Sequence, residues 1–547
     1  MNNPAEPVFP QPLIDAFTRD PDTPAFEFRT RPVGRGRVLG MVRACAAALA
    51  AAGLGPGRGI AVTTDVTPAG FAAQIAAHLL GCRVTGLRPG LTPGQLRHVL
   101  AQDVHAVLTD DTTRTEALTA AAEAAGALVL DLARDLLDGG DVGGDPGGNR
   151  DGDTDSGPDR APDGGTAPGP ELVARGRADD IALITLTSGS TGNPKGCAQT
   201  YRALGDHWSW QPLRWSDTTR QLAAGYRRFL LFGTLTSAVM LEHLALCLLS
   251  GGTAVIPDGP VSFPHTWQRH RVTACLCTVP RLYEVLATLR TEHVDTSAMR
   301  ALLVAGSPLP PHRLAEAADR LGPVVHQGYG QTETGMLALL TPEDQVREGD
   351  RVRDSVGRPM PGVDVSVRDP EGRPVPAGTT GEIWVRAGGA MSGYWHDRAE
   401  TREVVRDGWI RTRDLGTLRD DGFLRLAGRA RDVVFVNAIL HYTAAIESAL
   451  TSHPDVDEAY VVAAPDEDTG EAAHAFVVPA SPDRVPDPAA LRAAVRAELG
   501  DGAVPATLTV LAAVPVAPSG KPDKRALRER VVAQQGDRGG AGRVEAP

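Results

Sequence analysis

Strand-like and helix-like segments alternate between Arg37 and Asp110. An alanine-rich helix around Ala46 to Leu54 is followed by Gly59-Ile60-Ala61-Val62 and then by the apolar stretch Phe71 to Leu80. That is the pattern of β-α-β units, in which strands lie parallel and helices cover the sheet. Thr92 followed by Pro93 reads as a helix cap with proline in the first turn. The helix would carry Leu96, Val99 and Leu100 and lead into the strand Ala106-Val107-Leu108. An α/β fold built on a helix-covered parallel sheet is expected.

The 547 residues are 42% apolar and 22% charged, enough for a large core and at least one further domain. A formal net charge of −12 speaks against a nucleic-acid partner. No run of about 18 apolar residues is present to span a bilayer. The start, MNNPAEPVFPQ, has no basic segment leading into an apolar one, and six cysteines in so long a chain make no disulfide framework. A cytoplasmic protein, monomer or homodimer, is expected. Residues 138–170 are mostly Gly, Asp and Pro and predict a disordered surface loop, and 535–547 predict a disordered tail. After Gly428-Arg429 a small α+β unit, 430–534, is expected. It has strand-like Val433 to Val436, a helix near Ile446 to Leu450, strands Ala459 to Ala464 and Ala475 to Val478, and a second helix. Asp487 caps that helix, Pro488 opens it, Leu491, Val495 and Leu499 share one face, and Gly500 closes it.

Of 55 basic residues only Lys195, Lys521 and Lys524 are lysine. A compact ammonium acting on a phosphate or carboxylate is not replaceable by a planar guanidinium, so these positions mark places to look. Lys524, within a C-terminal run of charges, reads as an ordinary surface cation. Ile184 to Gly196 (ITLTSGSTGNPKG) packs hydroxyls, glycines and Lys195 into a turn after an apolar strand. Such a turn wraps a polyphosphate by converging backbone N–H groups, hydroxyls and one cation on it. Its spacing is not that of a Walker A loop. By composition alone, a plain flexible loop is the alternative. Cys275 and Cys277 lie in an apolar strand-like stretch and read as packing rather than as metal ligands.

Further elements follow in order: Gly328-Tyr-Gly-Gln-Thr-Glu333, Gly381-Glu-Ile, Gly393-Tyr-Trp, Asp407-Gly-Trp-Ile-Arg-Thr-Arg-Asp-Leu415, Gly428-Arg429 and Pro518-Ser-Gly-Lys521. Together with the loop Thr187-Ser188-Gly189-Ser190-Thr191-Gly192-Asn193-Pro194-Lys195 they resemble the signatures of the AMP-forming, adenylate-forming superfamily. That superfamily contains acyl-CoA synthetases, luciferases and the adenylation domains of peptide synthetases, and the likeness covers roughly residues 37 to 530. The resemblance implies a large N-terminal domain, 1–429, binding ATP and an acid, made of helix-covered sheets with a small β-rich distal part. It also implies that 430–534 is a mobile lid hinged at Arg431. The chemistry implied is ATP- and Mg²⁺-dependent conversion of a carboxylic acid to an acyl-adenylate, followed by transfer to CoA or to a carrier-protein phosphopantetheine. Two anions must meet, so positive charge and positioning do the catalysis and no protein nucleophile is needed. By resemblance Lys195 and the loop hydroxyls hold the leaving phosphates, Thr332 contacts the α-phosphate and Glu333 is a Mg²⁺ ligand. Asp414 and Arg429 bind the ribose, Gly306 and Tyr329 bracket the adenine, Gly330 is a further cofactor-binding position, and Lys521 reaches the reacting carboxylate and phosphate. Two of the three lysines thus fall where this chemistry places one.

The chain departs from the pattern in three places. Thr412-Arg413-Asp414 has arginine where the family usually has glycine, Arg431 replaces the usual Asp or Lys, and Ala438 stands at a glycine beside the pantetheine path of relatives. His441-Tyr-Thr-Ala-Ala-Ile-Glu447 resembles both fatty acyl-AMP ligases and CoA ligases. No Asp or Glu occurs from Gly225 to Met240, where amino-acid-activating relatives carry one, so an acid without an α-amino group is expected. Candidate pocket walls are Trp208, Trp210, Phe229, Phe232, Thr236, Gly306 and Gly335, with plain core packing the alternative for the aromatics. An acyl-carrier-protein ligase, an amide-forming synthetase and a degenerate member that only binds an acyl-adenylate remain as rival readings.

Overall fold

The computed structural model describes residues 8–137, 172–187, 193–307, 309–429, 432–437, 439–466, 469–481, 483–517 and 520–540. The expectations for 138–170, for Ser188 to Gly192, for Arg431 and for Ala438 lie outside these residues. By its contacts the chain divides into two units. The first is Met1–Ser262, Arg269–Ala274 and Gly388–Thr401, and the second is Phe263–Gln268, Cys275–Ala387 and Arg402–Pro547. The residues expected to form a separate lid, 430–534, are therefore grouped with Cys275–Ala387.

In the first unit five parallel strands lie in the order Ile181–Thr187, Arg83–Gly86, Gly59–Val62, Val104–Thr109, Leu128–Asp131. Lys195–Thr200 and Gly393–Tyr394 extend them antiparallel. Gly59–Val62 and Arg83–Gly86 are buried at every residue, as is the helix Pro68–Leu79 that crosses between them. Burial on both faces is what a parallel sheet demands and why these strands read as apolar runs. Thr92 caps the helix Pro93–Leu100 as expected, and Gln95 reciprocates: its side chain accepts from the Thr92 N–H at 3.0 Å while its own N–H donates to Thr92 Oγ1 at 3.3 Å. The helix expected at Ala46 to Leu54 runs instead over Arg35–Ala51, and Gly53 turns the chain out of it at φ 76°. Gly36 and Gly40, both poor helix formers, fall in its first half, so the alanine-rich half carries the clearer sequence signal. A second sheet in this unit joins Arg228–Leu230, Thr253–Ile256 and Pro24–Phe28 in parallel, with Arg31–Gly34 antiparallel at its edge.

In the second unit Ala301–Ala305 runs parallel to Val325–Gln331, which turns back into Gly335–Leu340 and on to Arg358–Pro359. A β-rich part follows, with Val363–Arg368, Gly381–Ala387, Trp409–Leu418 and Leu424–Arg429 antiparallel in succession. The C-terminal sheet contains Val433–Val436, Ile439–Tyr442, Val456–Asp466, Gly470–Pro479 and Thr507–Val510. Val434, Ile446, Leu450, Val461, Val477, Leu491 and Val495 form its core with the helices Thr443–Thr451 and Pro488–Leu499. Each such side chain contributes about 1.5–3 kcal/mol on burial. Asp487 caps the second helix by accepting from the Ala489 N–H at 3.0 Å, and Gly500 leaves it at φ 84°. The last helix, Lys524–Gly540, continues past Gln535, where a disordered tail is expected. Leu527 and Val531 anchor its first turns in the core, and extending an existing helix costs far less than starting one. Residues 541–547 lie outside the described residues.

Candidate active site

Among the described residues, the second unit gathers most of the sequence-identified ones. Val325–Gln331 and Gly335–Leu340 are joined by a tight turn that presents Thr332 and Glu333, both half-buried. The register slips between Tyr329 and Gly330, and a bulge of this kind re-aims the side chains around it. A Cβ at Gly330 would lie 2.9 Å from Met336 Cα, so only glycine fits there. Gly335 closes the turn at φ 69°.

Asp414 is the hub. It sits in Trp409–Leu418 directly opposite Arg429 on the neighbouring strand, and the Arg429 Nε–H donates to its Oδ1 at 3.2 Å. Its Oδ2 accepts from the Tyr329 hydroxyl at 2.7 Å and from Gln331 Nε2 at 2.6 Å. Gln331 also donates to the Thr412 carbonyl at 2.9 Å, and the Thr412 hydroxyl accepts from the Asp414 N–H at 3.1 Å. Burial, with Asp414 next, holds the Tyr329 hydroxyl well above its usual pKa, so it stays a donor. A carboxylate offers about four lone-pair directions. These bonds use three, and the fourth, on Oδ1, suits a hydroxyl such as that of a ribose. Gln331 was not singled out from the sequence, although i, i+2 spacing from Tyr329 along one strand was the available signal.

Lys521 lies in the same place. Its side chain is exposed, yet the surrounding protein and the Arg429 guanidinium lower its pKa, opposed by the carboxylates of Asp414 and Glu333. Its Cε is 3.5 Å from where a Cβ would stand on Gly306, which is itself left-handed at φ 99°. The turn bearing Lys521 is tied by the Ala517 N–H to the Lys521 carbonyl at 2.8 Å and by a bridge between Val516 and Pro522. Tyr329, Gly330, Thr332, Glu333, Asp414, Arg429, Gly306 and Lys521 thus share one unit. The arginine at the usual glycine position, Arg413, takes φ 59°. The strand keeps a glycine-like backbone there, at a cost of about 1–2 kcal/mol for a residue with a Cβ.

The first unit holds Lys195. Thr187 and Lys195 are paired across the strands that flank the loop, and the Thr187 hydroxyl donates to the Lys195 carbonyl at 3.4 Å. Lys195 Nζ is 3.1 Å from Glu400 Oε1 and 5.5 Å from the centre of the Tyr394 ring. Glu400 was not foreseen, because nothing local in sequence links it to Lys195. Among the candidate wall residues, Phe229 is fully buried and stacks on Tyr226, and Trp210 packs edge-on against Phe9, so both behave as core. Phe232 is 8% exposed, and Thr236 bonds Thr234 through their hydroxyls at 2.9 Å. Trp208 packs edge-on against His243, whose Nδ1 is 2.6 Å from the Tyr226 hydroxyl. Just beyond the acid-free stretch, buried Glu242 is 3.1 Å from His207. Cys275 and Cys277 are buried, and no cluster of metal-ligand type occurs among the described residues.

Residues 14–395 match the AMP-binding enzyme family. The chain belongs to that family. Residues 445–521 match the C-terminal domain of AMP-binding enzymes. A feruloyl-CoA synthase from an Amycolatopsis species is 34% identical over 313 residues, 56% of this chain and 61% of that protein. A fatty acid–[acyl-carrier-protein] ligase from Streptomyces coeruleorubidus is 36% identical over 239 residues, 44% of this chain and 46% of that one. The chain therefore matches these curated relatives over about three fifths of their length or less. The solved structure of an amide bond synthetase from Marinactinospora thermotolerans is 32% identical, with a TM-score of 0.78, covering 95% of this chain and 99% of that one. The α/β fold of this AMP-binding enzyme, with a large N-terminal and a small C-terminal domain, is the fold of that structure. Among the described residues no helix is long and apolar enough to cross a membrane.

Proposed function

We propose that this AMP-binding enzyme is an ATP-dependent acid ligase that makes an acyl-adenylate and passes the acyl group to a thiol, that of CoA first among the acceptors. The observation that carries the reading is the convergence of Tyr329, Gln331 and Arg429 on Asp414 with Lys521 and Glu333 beside it. Asp414 and Arg429 take the ribose, and Lys521 brings its ammonium to the carboxylate and α-phosphate that must approach each other. A carboxylate oxygen attacks the α-phosphorus, the bond to the bridging oxygen breaks, and pyrophosphate leaves with that electron pair. Positive charge placed where negative charge gathers lowers this barrier more than any proton transfer would. In the second step the thiol sulfur attacks the acyl carbon, AMP leaves, and the thiol proton goes to solvent.

Glu333 suits Mg²⁺, which is held by one or two carboxylates and completes its shell with phosphate oxygens and water rather than with a protein cage. When bound, that ion neutralises charge on the phosphates. Lys195 and the loop 188–192 would hold the leaving phosphates, and residues 430–534 would act as a lid turning about Arg431. An acid without an α-amino group fits, because the one acidic side chain near that stretch, Glu242, is taken up by His207. Six cysteines, all buried, suit a reducing cytoplasm.

A second reading, amide formation with an amine as acceptor, is favoured by the likeness to the amide bond synthetase over nearly the whole of both chains. ATP–pyrophosphate exchange over a panel of aliphatic, aryl and amino acids tests the first step. Exchange with one class of acid supports the reading and names the substrate type, and silence across the panel with nucleotide binding intact removes it. CoA, a phosphopantetheinylated carrier protein and simple amines, offered in turn to the acid that exchanges, separate the acceptors.

A further inference from the structure

Lys524 looks like an ordinary surface charge in the sequence. In the structure it opens the helix Lys524–Gly540, an end at which the helix dipole disfavours a cation. Its ammonium lies 2.7 Å from Glu447 Oε1 and 3.8 Å from Asp432 Oδ2. The same oxygen of Glu447 accepts from the Val461 N–H at 2.7 Å, so the helix Thr443–Thr451 and the strand Val456–Asp466 meet at this point. Burial raises the Glu447 pKa and Lys524 opposes it, as expected of a carboxylate whose charge depends on its partner.

The two carboxylates lead in useful directions. Asp432 is three residues beyond Arg429, and its N–H donates to the Arg429 carbonyl at 3.0 Å. Its own carbonyl accepts from the Thr443 N–H at 3.1 Å and from the Thr443 hydroxyl at 3.2 Å. Lys524 is three residues beyond Lys521, and Asp523 between them donates its N–H to the Pro515 carbonyl at 2.7 Å while its carboxylate accepts from the Ala526 N–H at 3.0 Å. One ammonium therefore links the turn that carries Lys521, the chain leaving Arg429, and the core of the C-terminal sheet. The ammonium has three N–H donors, enough to serve both carboxylates at once. Leu527 and Val531 anchor the helix independently of Lys524.

We propose that Lys524 is a positioning residue for adenylate formation: held by Glu447 and Asp432, it fixes the turn on which Lys521 approaches Asp414 and Arg429. This rests on the role assigned to Lys521 above. Lys524→Ala in the full chain lowers kcat for ATP–pyrophosphate exchange by about 10- to 100-fold, the scale of a misplacement near 1 Å, while KM for ATP moves little. Acyl transfer from supplied acyl-adenylate stays within a few-fold of the parent, and Lys524→Arg recovers part of the exchange. Glu447→Gln gives the same split, and combining it with Lys524→Ala adds little, because both break one linkage. Lys521→Ala is the control. If it abolishes exchange while Lys524→Ala leaves exchange intact, the positioning role is overturned and the role of Lys521 stands. If Lys521→Ala leaves exchange intact, the reading of Lys521 fails and this inference fails with it. Equal loss in both half-reactions, or a rise in KM alone, also overturns it. Should Lys524→Ala not fold, the same split is read from Lys524→Arg and Glu447→Gln, and its absence in both is decisive against the proposal.

Discussion

Asp414 and Arg429 face each other in register on adjacent strands, with the arginine Nε 3.2 Å from the carboxylate Oδ1 and the other oxygen shared by Tyr329 and Gln331. The carboxylate is only 6% exposed, so its orientation is set before any ligand arrives. Asp414→Asn keeps the shape and removes the charge on which three donors converge. ATP affinity should fall about tenfold or more, the worth of a charge-assisted hydrogen bond at roughly 1.5–3 kcal/mol. Calorimetric titration with ATP, alongside a thermal melt showing the fold intact, checks this.

Lys521→Ala should separate the half-reactions. Its ammonium sits among Glu333, Asp414 and Arg429, where the first step gathers charge. Exchange between ATP and pyrophosphate should drop by about 100-fold or more, in the range found when one stabilising charge-directed donor is removed. Transfer from supplied acyl-adenylate should be much less affected. Single-turnover assays of each step measure the two rates, and equal losses would sink this role for Lys521.

Arg313, on Pro311–Leu321, is almost wholly buried and forms ion pairs with Glu316 and with Asp457 on Val456–Asp466. Arg313→Met leaves the half-buried Asp457 carboxylate without its cation and should destabilise the second unit by up to about 3–5 kcal/mol. The paired change Arg313→Met with Asp457→Leu should recover much of that loss. Urea unfolding of parent, single and double variants gives the comparison, and a double variant as weak as the single one would contradict it.

His78 lies in the fully buried helix Pro68–Leu79 between Phe9 and Tyr201, and burial pushes its pKa down to about 3. Its ordinary value is near 6.5, so between about pH 6.5 and pH 3 the unfolded chain holds a proton that the folded chain does not. The stability from keeping this ring neutral is complete above pH 6.5 and is lost as pH falls, at up to about 1.4 kcal/mol per pH unit. Thermal midpoints from pH 7.5 to pH 4.5 should fall more steeply for the parent than for His78→Leu. Parallel slopes would assign the acid sensitivity elsewhere.

The sequence made the short-range part of this molecule legible. Glycines at 330 and 335, the cap at Thr92 and the ordered series of motifs identify Tyr329, Asp414, Arg429 and Lys521, and these do meet in one unit. What stayed hidden are partners supplied from far along the chain. Glu400 pairs with Lys195, His207 with Glu242, and Glu447 with Lys524, and no local pattern marks any of these pairs. Arg413 shows the converse. The residue type argued against a left-handed backbone, yet pairing of the strands on either side imposes one.

The scarcity of lysine has a practical side. In 547 residues there are three ε-amino groups, and two of them lie against carboxylates, Lys195 against Glu400 and Lys524 against Glu447. Lys521 is exposed, and its lowered pKa leaves more of it as the nucleophilic free amine near neutral pH. An amine-reactive fluorophore used sparingly should therefore label this position ahead of the other two, and peptide mapping of the adduct would show it. The chain then carries its own attachment point for an optical reporter, on the turn whose placement the proposed chemistry depends on, with no cysteine introduced for the purpose.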